Sequence, residues 1–421
     1  MATALPEAKR DDGALRRQVL AVGLQSFLFA SALGFFYIPL PLHARTQMGD
    51  AGGAKMARWM GLQIGMRVPF GLAVGALGAA VEAPSILLAV CGFLVAAAWP
   101  QEDLAIWGLC LLTSATINVR STLNLRIKAI AQDSPERLAQ VSSSQNRGRL
   151  LGRIFRGVAA ASLYEAFGLR GVCIGGSFLC VGLMICTAES VAGGSPRAAS
   201  PKPAVAANGG GIRAAWAGTH WQAWAMAFSF TFHEFFCNMH VAVSPVAATR
   251  VAGLSSGQIG LVASSGLFLT LMTEPLVALM PVQWTPKRPL NAVNLTMLYG
   301  AALFLMSIAD SAPTFILSSL LAIVCENVIQ KCLMELIMGG VQAEHMSVVL
   351  AVMETTGAVL GSFGASAGSL LVAADTSLAL RVMGMLALVH VIFQLLTFAA
   401  AAAAEAFQSG LFAAGAHAKA S

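Results

Sequence analysis

The chain has 421 residues, of which 57% are hydrophobic and only 11% carry a formal charge. Soluble domains carry about 25% charged residues, and the mean hydropathy of this chain is strongly positive at +0.72. The composition therefore excludes a soluble globular protein and indicates an integral membrane protein. We attribute the net charge of +6 to the placement of Lys and Arg relative to a membrane, and we expect no nucleic-acid partner.

Apolar stretches of membrane-spanning length follow one another along nearly the whole chain. A helix that crosses a bilayer needs about 20 such residues. The twelve predicted spans are 17–41, 56–80, 84–100, 104–126, 141–165, 169–189, 215–248, 256–283, 289–310, 312–338, 345–372 and 378–404. The eight cysteines all fall within these spans and lack metal-ligand spacing. We therefore predict an all-α polytopic protein with neither a metal nor another cofactor.

The polar segments outside the spans predict the domain organisation and the orientation. Residues 190–214 are rich in Gly, Pro, Ser and Ala, and we interpret them as a linker between two six-span halves, 17–189 and 215–404. Residues 1–16 and 405–421 form the terminal tails. Lys and Arg concentrate on the side of the membrane that holds the tails and the linker, so the positive-inside rule predicts cytoplasmic termini.

The two halves share small residues and amides at matching positions. One constant offset relates three pairs: Gly148 and Gly357, Gly152 and Gly361, and Asn118 and Asn327. Because these pairs come from two different spans, a shared offset indicates internal duplication. Parallel repeats of six spans are a known transporter layout.

Two segments point to a protein family. Residues 148–161 carry glycines at four-residue spacing before Arg156-Gly157, and residues 163–170 (LYEAFGLR) follow as a turn. Residues 253–260 (GLSSGQIG) are similar to the start of the eighth span in the same family. With the span count, the linker and the repeat, the sequence resembles the major facilitator superfamily (MFS), most closely its drug and metabolite antiporter branch.

The chain departs from the family pattern at two places. Arg156 replaces a glycine, and Gly157 replaces the proline, of the antiporter signature. The loop after the second span reads GALGAAVE at residues 75–82, where the family pattern has an earlier acid and basic residues. We therefore do not carry over a gating role of that loop to this chain.

The resemblance implies two pseudo-symmetric six-helix bundles around a central cavity lined by spans 1, 4, 7 and 10. It implies a monomeric secondary active transporter in a lipid bilayer, coupled to protons, which moves a small organic solute by alternating access. The sequence has no ATP-binding loop and no HExxH or GxSxG motif, so we expect neither an ATP-driven pump nor an enzyme. The alternative is a transport-inactive receptor or assembly partner with the same fold.

Polar side chains at bilayer depth are costly and mark candidate binding positions. The predicted substrate-binding residues, from spans 4, 7 and 10, are Arg120, Asn124, Glu234, Glu326, Asn327 and Gln330. Arg120 lies too deep for snorkelling to explain its charge, and its guanidinium suits an anionic group. The phenylalanines around Glu234 instead suit an apolar or aromatic compound. Of the two, we favour an organic anion.

Four acids and one histidine are candidates for carrying a proton through a transport cycle. A carboxyl group in apolar surroundings and a histidine both change protonation near neutral pH. The predicted proton-coupling residues are His233, Glu234, Glu274, Glu326 and Glu354. Two alternatives stay open: His233 as a hydrogen-bond partner of a neighbouring helix, and Glu326 as the structural partner of an arginine from the other half.

Arginines dominate the buried charges of the first half, and glutamates dominate those of the second. Arg67, Arg153 and Arg156 are predicted to form structural ion pairs, and Glu274 and Glu354 are plausible partners across the halves. An anionic substrate held by the span-5 arginines is the alternative. Opposite charges on two bodies that rock against each other can pair in one conformation and separate in the other, as alternating access requires.

Overall fold

The computed structural model describes residues 5–48, 52–70, 78–131, 134–192, 219, 221–279, 289–341 and 343–420, and these residues contain no β-strand. Their helices, in chain order, are α1 (Leu5–Leu33), α2 (Pro39–Met48), α3 (Gly52–Gly65), α4 (Glu82–Ala98), α5 (Asp103–Ser114), α6 (Ile117–Ala131), α7 (Pro135–Ala192), α8 (Trp221–Ala252), α9 (Ser256–Leu279), α10 (Pro289–Ser307), α11 (Ala312–Gly340), α12 (Ala343–Ala374) and α13 (Thr376–Ala420). A short 3-10 helix, Gly78–Val81, precedes α4.

The helices follow the predicted spans and confirm an all-α polytopic membrane fold. Within the described residues, seven stretches are long and apolar enough to cross a bilayer: Asp103–Asn124, Gln140–Ala188, Ser256–Thr273, Pro289–Ser307, Ala312–Met334, Val348–Ala374 and Thr376–Ala400. Helix α4 is apolar but shorter. The predicted linker is described only as far as residue 192. Its remaining residues, 193–214, and residues 1–4 of the predicted tail lie outside the described residues.

The fifth and sixth predicted spans form one element, α7, which reverses its direction at Gly168. This glycine has φ 65°, in the left-handed region that residues with a side chain rarely adopt. It divides α7 into a first arm, which holds the predicted span 141–165, and a second arm, which holds 169–189. The turn predicted at residues 163–170 therefore depends on this one glycine.

The first predicted span differs from expectation because it is broken into two helices. Helix α1 ends at Leu33, and α2 begins at Pro39, which has no amide hydrogen and disfavours helix in the residue before it. Residues 34–38 form a turn between them, closed by a hydrogen bond from the Tyr37 amide to the Gly34 carbonyl at 2.9 Å. The break turns Tyr37 toward the second half of the molecule.

The fourth predicted span is also broken, between α5 and α6. The hydroxyl groups of Thr113 and Ser114 each donate to a backbone carbonyl one turn earlier, at 2.6 Å. Such bonds compete with the helical ladder and bend helices. The Ser114 hydroxyl also lies 2.7 Å from the Gln63 carbonyl of α3, which ties the break to a neighbouring helix.

Each half has its own hydrophobic core. In the first half, Trp59 and Phe93 are fully buried in a cluster formed mostly by α1 to α7, and in the second half Tyr299 and Phe315 are fully buried in a cluster formed mostly by α8 to α13. Free cysteines pack into both cores: Cys110, Cys173, Cys180, Cys325 and Cys332. Because each half buries its own apolar side chains, it can keep its shape while its position relative to the other half changes.

The two halves meet along two seams of small residues. In the first seam, between α3 and α12, the Ser362 hydroxyl donates to the Gly61 carbonyl at 2.8 Å, and the Ser366 hydroxyl donates to the Ala57 carbonyl at 3.2 Å. Small residues let helix backbones approach closely inside a membrane. The bonded groups are side-chain hydroxyls on one half and backbone carbonyls on the other.

The second seam joins the first arm of α7 to α9. The Ser264 hydroxyl donates to the Ile154 carbonyl at 2.7 Å. Gly157 and Gly260 face each other so closely that a Cβ added at Gly260 would overlap the Gly157 carbonyl oxygen. A Cβ added at Gly157, where the family signature has a proline, would overlap the Ser264 hydroxyl, so this contact also favours glycine at position 157.

We expect Gly260→Ala to destabilise the protein because its new methyl group would push two backbones apart. Overpacking of this kind costs about 1–3 kcal/mol, so the melting temperature in detergent should fall. The matched control is Gly108→Ala in α5, where an added Cβ meets nothing within 4 Å. The control should be neutral or slightly stabilising. Equal melting temperatures for Gly260→Ala and the wild type would contradict the seam as described.

Candidate functional site

A cavity lies between the two halves, bounded by the turn at residues 34–38, the first arm of α7, and helices α8, α9 and α11. Its volume, counted as the space open to the centre of a water-sized sphere, is about 110 Å³. The polar side chains that line it are Tyr37, Arg153, Arg156, His240, Ser244, Ser319, Glu326 and Asn327.

Arg153 reaches across the cavity to the second half. Its Nη1 donates to the side-chain oxygen of Asn327 at 2.7 Å. The Asn327 amide nitrogen in turn donates to the Ile323 carbonyl at 2.7 Å, which leaves the amide oxygen to accept from the arginine. The partner of Arg153 is therefore a neutral amide.

Arg156 also has neutral partners. Its guanidinium lies over the Tyr37 ring, 5.4 Å from the ring centroid, and its Nη1 donates to the Ala30 carbonyl at 3.4 Å. A Cβ added at Gly34 would overlap the Arg156 guanidinium. The guanidinium thus occupies space that the glycine in the α1–α2 turn leaves open.

Tyr37 joins Arg156 to a second arginine. The Tyr37 hydroxyl accepts a hydrogen bond from Arg67 and lies 3.3 Å from the side-chain oxygen of Gln63, to which Arg67 also donates at 3.1 Å. Arg67 and Arg156 therefore contact the same tyrosine from two helices. Within the described part of the chain, neither of these arginines, nor Arg153, forms an ion pair. Their partners are neutral, where the sequence predicted carboxylates.

Glu326 is buried against two histidines of α8. Its carboxylate oxygen lies 2.8 Å from Nδ1 of His240, and its backbone carbonyl accepts a hydrogen bond from Nε2 of His233 at 3.0 Å. The Tyr299 ring lies beside both imidazoles, with centroid distances of 6.0 Å to His240 and 6.5 Å to His233. The carboxylate and one imidazole therefore form a pair in the cavity wall.

His240 is the member of this pair that the sequence reasoning missed. It lies seven residues after His233 and thus on the same face of α8. That spacing, combined with its depth in the span, was the signal that could have found it. Glu326 and Asn327, which were predicted as substrate-binding residues, do line the cavity.

The comparisons with known proteins agree on the fold. No protein-family profile and no curated sequence matches the chain, but solved structures do. The human organic anion transporter MFSD10 (TETRAN) aligns with TM-score 0.65 and 16% identity over 90% of this chain and 99% of its own. A mutant of the nucleoside transporter NupG aligns with TM-score 0.65 and 14% identity over 90% and 100%. The chain has the MFS fold.

A third structure adds to this result. A bacterial homolog of the human lysosomal transporter Spinster, inward-facing and unoccupied, aligns with TM-score 0.57 and 12% identity over 91% of this chain and 95% of its own. MFSD10 is described as an organic anion transporter and NupG as a nucleoside transporter. The MFS fold alone therefore does not select a substrate, and the site residues have to do so.

Two predicted residues lie next to the MFS cavity without lining it. The Gln330 amide donates to a carboxylate oxygen of Glu234 at 2.9 Å, so α8 and α11 are joined a second time. Asn238 donates to the Glu234 backbone carbonyl at 2.7 Å. Glu234 and Gln330 thus form a hydrogen-bonded pair, beside the pair formed by His240 and Glu326.

Arg120 and Glu354 join the two halves away from the cavity. Arg120 Nε lies 3.8 Å from the Glu354 carboxylate, which also accepts from the Ser121 hydroxyl at 3.2 Å. Asn124, one turn further along α6, accepts from Gln145 of the same half at 2.9 Å. The side chain of Glu274 lies outside the described residues.

A buried ion pair sits where the family pattern of the loop after the second span was missing. Glu82, the last residue of GALGAAVE, accepts from Arg126 of α6, and Arg126 also donates to Gln25 of α1 at 3.1 Å. This pair connects the starts of spans 3 and 1 to the end of span 4. Neither Glu82 nor Arg126 was assigned to an ion pair from the sequence.

The two ion pairs should differ in their effect on stability. Glu82 and Arg126 have side chains only 3% and 12% exposed, whereas Glu354 and Arg120 are 25% and 30% exposed. Removing one partner of a buried pair costs about 3–5 kcal/mol, and a partly exposed pair contributes about 0–1 kcal/mol. We therefore expect Glu82→Gln to lower the melting temperature clearly and Glu354→Gln to change it little.

Thermal unfolding of the purified variants in one detergent measures this difference. Glu102→Gln, in an exposed turn where the side chain makes no cap hydrogen bond, is the matched control. A larger loss for Glu354→Gln than for Glu82→Gln would contradict the expected order of the two pairs' contributions to stability.

Proposed function

We propose that the protein is a secondary active transporter that moves a small organic anion by alternating access, with coupling to protons. The observation that carries the proposal is that Arg153 and Arg156 both line the cavity between the halves and both have neutral partners. In this proposal the segments 17–189 and 215–404 are the two moving bodies of a monomer whose termini are cytoplasmic.

The charge balance of the cavity favours an anion. Arg153 and Arg156 are three residues apart and therefore neighbours on one helical face. Like charges repel strongly in a low-dielectric interior, and a bound anion removes that cost. The carboxylate of the cavity, Glu326, already faces His240. Guanidinium groups bind carboxylates and phosphates through parallel hydrogen bonds, so they are suited to hold such a group.

The rest of the cavity favours an organic body on that anion. Its remaining lining is mostly apolar: Ile38, Val241, Pro245, Ala248, Leu254, Ile259, Val262, Ala263, Leu267, Phe315 and Ile323. Apolar surface gains about 25 cal/mol per Å² when it leaves water. A bare inorganic ion would leave these apolar side chains in contact with water, whereas a compound with an apolar part would cover them.

The structural neighbours are consistent with this substrate class. MFSD10 is described as an organic anion transporter and has the same fold over nearly all of its length. NupG is described as a nucleoside transporter and is equally similar in fold. We favour the anion because a nucleoside without phosphate would leave both guanidinium groups of the cavity without a charged partner.

Alternating access in this proposal uses the contacts between the halves. The hydrogen bonds described at the two seams are made by small residues, which lets the halves tilt along them. The bond between Arg120 and Glu354 is long at 3.8 Å and partly exposed, so it can break at low cost. We assign this pair to a gate between the halves, where the sequence had suggested Arg120 for the substrate.

Proton coupling in this proposal belongs to His240 and Glu326. Both line the cavity, and their 2.8 Å contact allows one proton to be shared or added. Three of the other predicted carriers have different partners: His233 donates to a backbone carbonyl, Glu234 accepts from Gln330, and Glu354 faces Arg120. A titratable pair in the wall of the anion cavity is the arrangement that coupling requires.

Pairs of anions and isosteric amides test the substrate class. Benzoate with benzamide, and 2-naphthoate with 2-naphthamide, differ in charge but hardly in shape. We expect the anions to raise the melting temperature of the purified protein and the amides not to, because only the anions complement Arg153 and Arg156. In Arg153→Gln, the anion concentration needed for the same rise in melting temperature should be at least about tenfold higher, as expected for the loss of a charge-assisted bond. Equal stabilisation by both members of each pair would contradict the proposal.

Flux in proteoliposomes tests transport itself. Counterflow of the stabilising anion should be lost in Arg153→Gln and partly restored in Arg153→Lys, which keeps the charge. Arg58→Gln, on the exposed face of α3, is the matched control and should transport like the wild type. Binding of the anion without any flux would instead support the alternative, a transport-inactive receptor with the MFS fold.

A further inference from the structure

We infer that the anion and one proton bind together, so that the protein is an anion–proton symporter and not an exchanger of one for the other. This inference rests on the proposed function and specifies its coupling. It follows from the position of the His240–Glu326 pair in the same cavity wall as Arg153 and Arg156.

The groups around the Glu326 carboxylate come from three neighbouring helices and from its own. Arg153 bonds to Asn327, the residue next to Glu326, and is near enough to attract the carboxylate. The titratable or charged groups that face Glu326 are Arg153 of α7, His233, Cys237 and His240 of α8, and Tyr299 of α10; Cys325 of α11 interacts with Tyr299. Glu234 adds a second carboxylate near His233. Among these, only His240 is within hydrogen-bonding distance of the carboxylate and also lines the cavity.

The net charge of the cavity decides the sign of the coupling. With Glu326 ionised and His240 neutral, the two arginines leave one excess positive charge in the cavity. One added proton on the pair raises that excess to two, so an incoming anion is attracted more strongly. A cationic substrate would compete with the proton, whereas an anion favours its uptake. Linkage requires the converse as well, so anion binding must draw a proton onto the pair.

Calorimetry of anion binding measures the proton directly. The probe is the monocarboxylate of the benzoate and naphthoate pairs that stabilises the protein most, titrated in two buffers of different ionisation enthalpy. We expect uptake of about one proton per anion, and a dissociation constant that rises about tenfold per pH unit over the range in which the pair loses its proton. Release of a proton, or binding that is independent of pH, would overturn the inference.

The variant Glu326→Gln separates coupling from transport. Glutamine keeps the size of the side chain and its bond to His240 but removes the negative charge, as protonation does. We expect this variant to bind the anion at high pH as tightly as the wild type does at low pH, with no proton uptake. It should still exchange anion across a proteoliposome membrane, but it should no longer accumulate anion in response to a pH gradient. Retained accumulation in Glu326→Gln would contradict the assignment.

Two controls keep the outcomes distinct. Glu102→Gln removes an exposed glutamate far from the cavity and should keep both proton uptake and pH-driven accumulation. Arg153→Gln should lose anion binding at every pH. If Arg153→Gln binds the anion normally, the proposed function fails. If Arg153→Gln fails to bind while the wild type binds without a proton, the proposed function stands and only the co-binding is wrong.

Discussion

The constraint on which this structure depends is that an ionic side chain inside a membrane protein needs a partner or a polar cavity, because its charge is costly in a low dielectric. In the described part of the chain, two ion pairs, Glu82 with Arg126 and Glu354 with Arg120, and one carboxylate–imidazole contact, Glu326 with His240, meet this need. Arg153 and Arg156 meet it differently, through neutral partners and a place on the cavity wall. The functional proposal follows from that difference.

The fold was largely predictable because the bilayer constrains it through length and hydropathy alone, which any window of the sequence contains. The breaks in the first and fourth spans were not predicted. A break depends on single residues, Pro39 in one span and the hydroxyls near Thr113 in the other, whose effect an average over 20 residues hides. The reversal at Gly168 was predicted as a turn, since a glycine in a polar segment marks one locally.

The site was predictable only in part. Depth and helical face identified Glu326 and Asn327, because both properties can be counted along one helix. The hydrogen-bond partners of these two residues could not be predicted in this way, because they depend on which helix lies opposite. Tyr37 carries no signal in the sequence, and the spacing of His240 from His233 does not show that Glu326 lies opposite it. For the same reason, the choice between ion pairing and anion binding by Arg153 and Arg156 required their actual neighbours.

Arg156 shows how a departure from the family pattern can be compensated elsewhere in the fold. It stands where the antiporter signature has a glycine, and its large side chain needs room between α7 and the first span. Gly34 leaves that room, and Tyr37, three residues later, stacks on the guanidinium. Arg67 contacts the same tyrosine from the chain after α3. The Arg156 guanidinium in the cavity wall therefore contacts Tyr37, which lies in the turn that breaks the first span. A change of charge at Arg156 therefore acts directly on the turn between α1 and α2.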